Sequence, residues 1–151
     1  MNDLHTRMLV ERFPTFWALD KFMFECEDGW FELIYNLCLR LEASRFSGRC
    51  IQLKEKWGEL RFYVDTPPFG KTNLTPEQRK IIWEAEAESE YWCEICGSPS
   101  GSLRKDTAFV QTRCDACHET YLHPVQPCCN LCGGPHETGS YCDRDSPKFA
   151  R

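Results

Sequence analysis

The chain has 151 residues, with 42% hydrophobic and 13% aromatic side chains, enough to build a packed core and too many for a disordered polymer. Its formal net charge of -5 makes it a poor general ligand for duplex DNA, which attracts clustered positive charge. No apolar run is long enough for a membrane span, and the opening Met1-Asn2-Asp3-Leu4-His5 lacks the basic-then-apolar order of a secretory leader. A cytoplasmic location is expected.

Leu4, Met8, Leu9 and Phe13 fit one short helix ending before Pro14. The apolar stretch Phe16-Trp17-Ala18-Leu19 with Phe22, Met23 and Phe24 reads as core-packing. Residues 28–43 read as a helix, with Asp28 as N-cap and Trp30, Leu33, Ile34, Leu37 and Leu41 on one stripe. Cys38, at the edge of that stripe, reads as a small buried hydrophobe.

Residues 49–65 read as a β-hairpin. Ile51 and Leu53 alternate with Gln52 and Lys54, and Leu60, Phe62 and Val64 alternate with Arg61 and Tyr63. The turn is expected near Lys56-Trp57-Gly58-Glu59, where Gly58 supplies a positive φ. Asp65 to Lys71 is a loop, because Pro67 and Pro68 end strand pairing. Its Gly70-Lys71-Thr72 is not a phosphate-binding loop, since the glycine required five positions earlier is Asp65.

Residues 75–92 read as a second helix. Thr75-Pro76-Glu77-Gln78 forms a capping box with proline at the first helical position. Ile81, Ile82, Ala85, Ser89 and Trp92 share one face, while Trp83 points the other way. The glutamates of this segment read as a solvated surface. Trp83, with Glu84, Glu86 and Glu90 around it, is the expected protein-contact surface. The alternative places Trp83 against the apolar segment around Trp17.

The string Asp28-Gly29-Trp30-Phe31, then Gln52-Leu53-Lys54-Glu55-Lys56-Trp57-Gly58-Glu59-Leu60-Arg61-Phe62-Tyr63-Val64, then Cys93-Glu94-Ile95-Cys96-Gly97 resembles a group of small proteins encoded by tailed bacteriophages and prophages. The resemblance covers about residues 28–117, and Trp57 departs from it, standing where phenylalanine is expected. It brings no activity with it. It implies a phage origin, an accessory role, a host protein as partner and the cytoplasm of an infected bacterium as the place of action.

Eleven cysteines are present, and eight of them crowd between Cys93 and Cys142. Paired cysteines in a reduced compartment read as a metal site before a disulfide framework. Cys93 and Cys96, then Cys114 and Cys117, form two knuckles of the spacing that closes a tetrahedral zinc site, with thiolate-bound iron as the alternative metal. Cys129-Asn130-Leu131-Cys132-Gly133 repeats the first knuckle, and Cys142-Asp143-Arg144-Asp145 echoes the second. A second zinc ion is therefore expected on Cys129, Cys132 and Cys142, with Asp145 or His136 as fourth ligand, and with Cys128, His118 and His123 as further choices. Sequential wiring, first pair with second, is expected over the cross-braced arrangement.

The predicted fold class is α+β: helices packed on a β-hairpin over 1–92, followed by a zinc-ribbon and knuckle region over 93–151 with two zinc sites. The predicted function is a non-enzymatic accessory protein with structural zinc that binds a host protein. The alternative is single-stranded nucleic-acid binding by the outer hairpin face, through Lys54, Lys56, Trp57, Arg61 and Tyr63, where cations beside aromatics would stack on bases. A histidine-asparagine-histidine nuclease built from His118, His123, Asn130 and His136 is disfavoured. His123 and Asn130 are too close in sequence, and Cys128-Cys129 interrupt the hairpin and helix such a site needs.

Overall fold

The computed structural model describes residues 1–18 and 22–123. Met1–His118 forms one compact unit, and the chain from Glu119 onward belongs to a second. The first unit runs past Trp92, so the cysteine-bearing stretch up to His118 packs as part of it. The fold is α+β, and no helix among the described residues is long and apolar enough to cross a membrane.

Helix α1 (Asp3–Arg12) is capped by Asn2, whose side chain accepts the His5 N–H at 2.8 Å. It buries Leu9, and Phe13 follows at its end, whereas Leu4 and Met8 stay exposed. Phe16, Trp17, Phe22 and Phe24 enter the core as expected, but Met23 points out at 72% exposure. Trp17, Phe22 and Phe24 pack tilted or edge to face, with ring centroids 4.8 to 5.1 Å apart.

Asp28 does not cap the next helix. Asp28-Gly29-Trp30 forms a 3-10 turn, and helix α2 (Phe31–Ala43) begins after it with no side-chain cap. The Asp28 carboxylate instead accepts from the backbone and side chain of Asn2, both at 2.7 Å, and lies 3.2 Å from the His5 ring. It ties the start of α1 to the turn. The stripe on α2 is as the sequence spacing requires: Leu33, Ile34, Leu37, Cys38 and Leu41 are buried, under a fully buried Trp30.

The main sheet has the order β1-β2-β3. Strand β1 (Phe24–Glu25) runs parallel to β2 (Arg49–Lys56), and β2 runs antiparallel to β3 (Glu59–Asp65). Lys56 pairs with Glu59 across a two-residue turn in which Trp57 has φ 61° and Gly58 φ 81°. Positive φ at both central residues is the turn whose twist matches a hairpin. Opposite Leu53 and Phe62, which face inward, the register pairs Gln52 with Tyr63 and Lys54 with Arg61 on the outer face. The expected inward Ile51 is a correction: a β-bulge between Cys50 and Gln52 turns it out to 48% exposure and sends Cys50 into the core.

Helix α3 (Pro76–Glu88) starts with the expected capping box, then tightens into a 3-10 turn over Ser89–Tyr91. It packs against α2 and β3 with Ile81, Ile82 and Ala85. Side chains close the free edge of β3. Ser89 Oγ accepts the Leu60 N–H at 2.9 Å, Glu86 accepts the Phe62 N–H at 2.9 Å, and Thr72 Oγ1 donates to the Val64 carbonyl at 2.9 Å. These bonds satisfy backbone groups that would otherwise invite another strand. Strands β4 (Ser102–Arg104) and β5 (Gln111–Arg113) form a second, antiparallel pair, and helix α4 (Asp115–Leu122) follows.

Candidate metal centre

Two knuckles and the β4–β5 hairpin between them assemble the site. In the first knuckle the Gly97 N–H donates to the Cys93 carbonyl at 2.8 Å, and the Cys93 N–H donates to the Ser98 carbonyl at 2.8 Å. Gly97 has φ 74°, which lets the chain turn back under both sulfurs. The second knuckle is the start of α4: Cys114 precedes it, Cys117 lies in its first turn, and the His118 N–H donates to the Cys114 carbonyl at 2.9 Å.

The Sγ atoms of Cys93, Cys96, Cys114 and Cys117 all lie within 4.8 Å of one another. Cys96 and Cys114 are 3.7 Å apart at sulfur. A tetrahedron with metal–sulfur bonds of about 2.3 Å has edges of about 3.8 Å, whereas a disulfide is only about 2.05 Å long. The spacing suits four thiolates around one ion and no S–S bond. It joins the first pair to the second, as sequential wiring expects. Burial works against the Cys93 thiolate, but the backbone N–H groups of Cys114, Cys96 and Ile95 outweigh it and bring the thiol down to about 7.

The first knuckle is fastened to the core by backbone contacts. The Gly29 N–H donates to the Glu94 carbonyl at 2.7 Å, and the Trp30 indole donates to the Trp92 carbonyl at 2.9 Å. A Cβ on Gly29 would lie 2.2 Å from the Cys93 carbonyl, and one on Gly97 would lie 2.9 Å from the Gly29 carbonyl. The two glycines are therefore interlocked. From the other side the Glu94 N–H reaches the Thr112 carbonyl of β5 at 2.9 Å, and Thr112 Oγ1 donates to the Gly58 carbonyl at the hairpin tip at 2.7 Å. The motifs at 28–30, 57–59 and 93–97 thus meet in space.

Glu94 is the residue that sequence reasoning missed. It continues a run of glutamates that looks solvated, yet it is 1% exposed. Its carboxylate accepts the Glu27 N–H at 3.2 Å. Burial pushes its carboxyl up to about 7, the Glu27 N–H opposes this, the Glu55 and Glu27 carboxylates add to it, and Arg113 opposes it. The only hint in the sequence is its place between two ligand cysteines.

The other predicted residues fall as follows. Cys129, Cys132, Cys142, Asp145, His136 and Cys128, with Asn130 of the nuclease reading, lie outside the described residues. His118 is buried and, among the described residues, is not part of the metal group; its Nε2 sits 3.0 Å from Asp106 Oδ2, while Nδ1 has no hydrogen-bond partner among the described residues. His123 is exposed, 3.9 Å from Glu119 one helical turn away. Cys26, Cys38 and Cys50 are buried thiols, and burial raises each, Cys26 to about 12. They are held protonated and act as hydrophobes.

Trp83 is 66% exposed, so it does not pack on Trp17. Its three glutamates are not equivalent. Glu84 pairs with Arg40 and, at 3.6 Å, with Lys80; Glu86 is half-buried on the Phe62 N–H; only Glu90 stands exposed. On the outer sheet face Lys54 Nζ lies 5.7 Å from the Tyr63 ring centre, Arg61 pairs with Glu59, Lys56 is exposed and Trp57 is 67% exposed at the turn. No protein-family model, no curated protein and no solved structure matches the chain.

Proposed function

We propose that the four-cysteine centre holds zinc as a structural ion and that the chain is a non-enzymatic protein-interaction module. A closed set of four sulfur donors is the usual structural zinc site, and it leaves no position for a substrate or an activated water. Zinc bound there would supply cross-linking only. The chain's own part is to present Cys93 and Cys96 on a knuckle locked to Gly29, and Cys114 and Cys117 at a helix start. A second ion on Cys129, Cys132 and Cys142 with Asp145 or His136 belongs to the same proposal.

The single observation that carries the interaction reading is a groove of two adjoining parts on the outside of the molecule, which share Ile51 and Tyr63 and are lined by apolar and charged side chains. Its first part, of about 640 Å³, is lined by Met23, Ile51 and Tyr63 among others. Its second part is lined by Ile51, Tyr63 and Trp83 among others. A contiguous exposed apolar surface with aromatics is characteristic of contact sites. The resemblance to phage proteins makes a host protein the partner class and the bacterial cytoplasm the setting. The test is capture from bacterial lysate by the tagged chain. Trp83→Ala is expected to keep the melting temperature within about 2 °C, because an exposed residue changes stability by only about 0.5 kcal/mol or less, and to abolish capture. A drop of many degrees, or undiminished capture, overturns the assignment.

The Lys54–Tyr63 pair favours a second reading, single-stranded nucleic-acid binding by the same sheet face. Arg61 weighs against it, since Glu59 already neutralises that cation. A gel shift with labelled single strands at low and moderate salt decides. A salt-sensitive shift lost in Tyr63→Ala supports this reading, and the absence of a shift removes it.

A further inference from the structure

Strand edges are finished differently in different parts of the molecule. Side chains of Ser89, Glu86 and Thr72 close the outer edge of β3, and the Glu94 N–H takes the Thr112 carbonyl on the outer edge of β5. That last bond also fixes which groups of the β4–β5 ribbon face outward. The N–H and carbonyl of one strand residue point to the same side, so those of Thr112 point away from β4. Leu103 is the register partner of Thr112, and its own N–H and carbonyl therefore point away from β5. Gly101, two residues earlier and so on the same side, agrees: its N–H donates outward to the Tyr91 carbonyl at 2.8 Å. Leu103 is 44% exposed, and its N–H and carbonyl have no hydrogen-bond partner among the described residues.

A slot of about 230 Å³ lies beside that open edge. Gly101, Ser102 and Leu103 line it along the strand, Tyr91 lines it where the Gly101 bond ends, and Gly58 of the hairpin tip also borders it. The two glycines contribute no side chain to fill it. The slot shares no lining residue with either part of the groove that holds Trp83. Its charged lining residues are Glu59 and Glu90, and no cation lines it. Arg61 already pairs with Glu59. Glu90 is exposed and makes no ion pair among the described residues.

An extended segment laid along β4 would meet the Leu103 N–H and carbonyl with its own main chain, the mode in which backbone bonds give affinity and side-chain pockets give selectivity. A lysine or arginine in that segment would meet Glu90 and rest its stem on the Tyr91 ring, which is 64% exposed. An acidic side chain at the same place would be repelled. We infer that the slot beside β4 is a strand-addition site for an extended segment of a partner protein, one that carries a lysine or arginine opposite Glu90. This goes beyond the groove reading and does not rest on it.

The experiment selects from a library of randomised eight-residue peptides on the immobilised, metal-loaded full chain, and titrates the enriched peptide by fluorescence polarisation. The enriched sequence is expected to hold a lysine or arginine among β-branched residues, which favour the extended form. Glu90→Lys is expected to weaken it by about tenfold or more. Leu103→Pro removes the outward N–H without removing a bond of the β4–β5 ladder, and is expected to weaken it as much. Leu103→Ala keeps that N–H and is expected to cost less than the proline. Unchanged metal content and melting curves establish that the variants fold. Amide hydrogen exchange of the natural chain gives a readout free of any variant: the Leu103 amide is expected to exchange fast alone and about tenfold or more slowly when the peptide saturates the chain.

A selection that yields no binder, binders without a basic residue, or a Leu103 amide that exchanges equally fast with peptide bound overturns the inference. So does an affinity that is lost in Trp83→Ala and untouched by Glu90→Lys; that result assigns the peptide to the groove and leaves the interaction reading standing. Protection of Leu103 by a basic peptide, with host capture undiminished in Trp83→Ala, supports the inference and removes the groove reading.

Discussion

Between Leu9 and Ala85 the interior is mostly hydrocarbon: Trp30, Ile34, Leu37, Leu41, Leu53 and Leu60 are each essentially inaccessible. Between Cys93 and His118 the buried side chains are Cys93, Glu94, Thr112, Arg113, Cys114 and His118, with no aliphatic or aromatic hydrocarbon residue among them. The first region is stabilised by removing apolar surface from water, at ~1.5–3 kcal/mol for each large side chain. The second has no such reserve. Its order comes from four sulfurs and from hydrogen bonds to the first region. Two parts of one compact unit therefore depend on different chemistry and should fail under different treatments.

The largest expected effect is loss of the metal. Structural zinc contributes on the order of 10–16 kcal/mol in small domains, so Cys114→Ser, or a strong chelator, should abolish metal binding. Hydrogen exchange should then become fast from Cys93 to His118 while the buried stripe of α2 stays protected. Acid should act in the same place, since protons compete with the metal for thiolate sulfur. Metal release on lowering pH below neutral, followed by a metal indicator, should precede any loss of far-UV helix signal. Simultaneous collapse of both regions would show that the comparison is false.

Leu37→Ala attacks the other side. A buried leucine truncated to alanine costs ~2–5 kcal/mol, so its melting temperature should fall sharply while metal stoichiometry at room temperature stays unchanged. Gly29→Ala attacks the seam. Its added methyl would meet the Cys93 carbonyl at 2.2 Å, and overpacking typically costs ~1–3 kcal/mol. Unlike Leu37→Ala, it should also weaken metal affinity in a competition titration, because the displaced element is the knuckle itself.

The smallest effect should be a gain. Trp57 holds φ 61° at the hairpin tip with its ring 67% exposed. Asparagine tolerates that conformation better, so Trp57→Asn should raise stability by up to ~1 kcal/mol without altering metal content.

What the sequence reveals follows the same division. Hydrocarbon periodicity is a local signal, so the α2 stripe, the capping box at Thr75 and the hairpin with its turn at Trp57-Gly58 are all readable. Cysteine spacing is also local, so the first metal site is readable. The seam is not. It joins Gly29 to Glu94 through backbone atoms, and backbone contacts between distant segments leave no pattern of side-chain type. For that reason Asp28 resembles a helix cap and Glu94 resembles a solvated glutamate. Ile51 misleads for another reason: alternation assumes an unbroken ladder, and one bulged residue reverses which side it faces.

The edge of β3 has a consequence for how the chain behaves when crowded. A bare strand edge is a template on which like strands can stack without limit, and growth of that kind is self-propagating. Here the template is withheld by three short bonds from Ser89, Glu86 and Thr72, supplied by a helix end and a loop rather than by a fourth strand. On this side the sheet ends at β3, and the barrier to growth from that edge resides in side chains, where single substitutions can remove it one bond at a time.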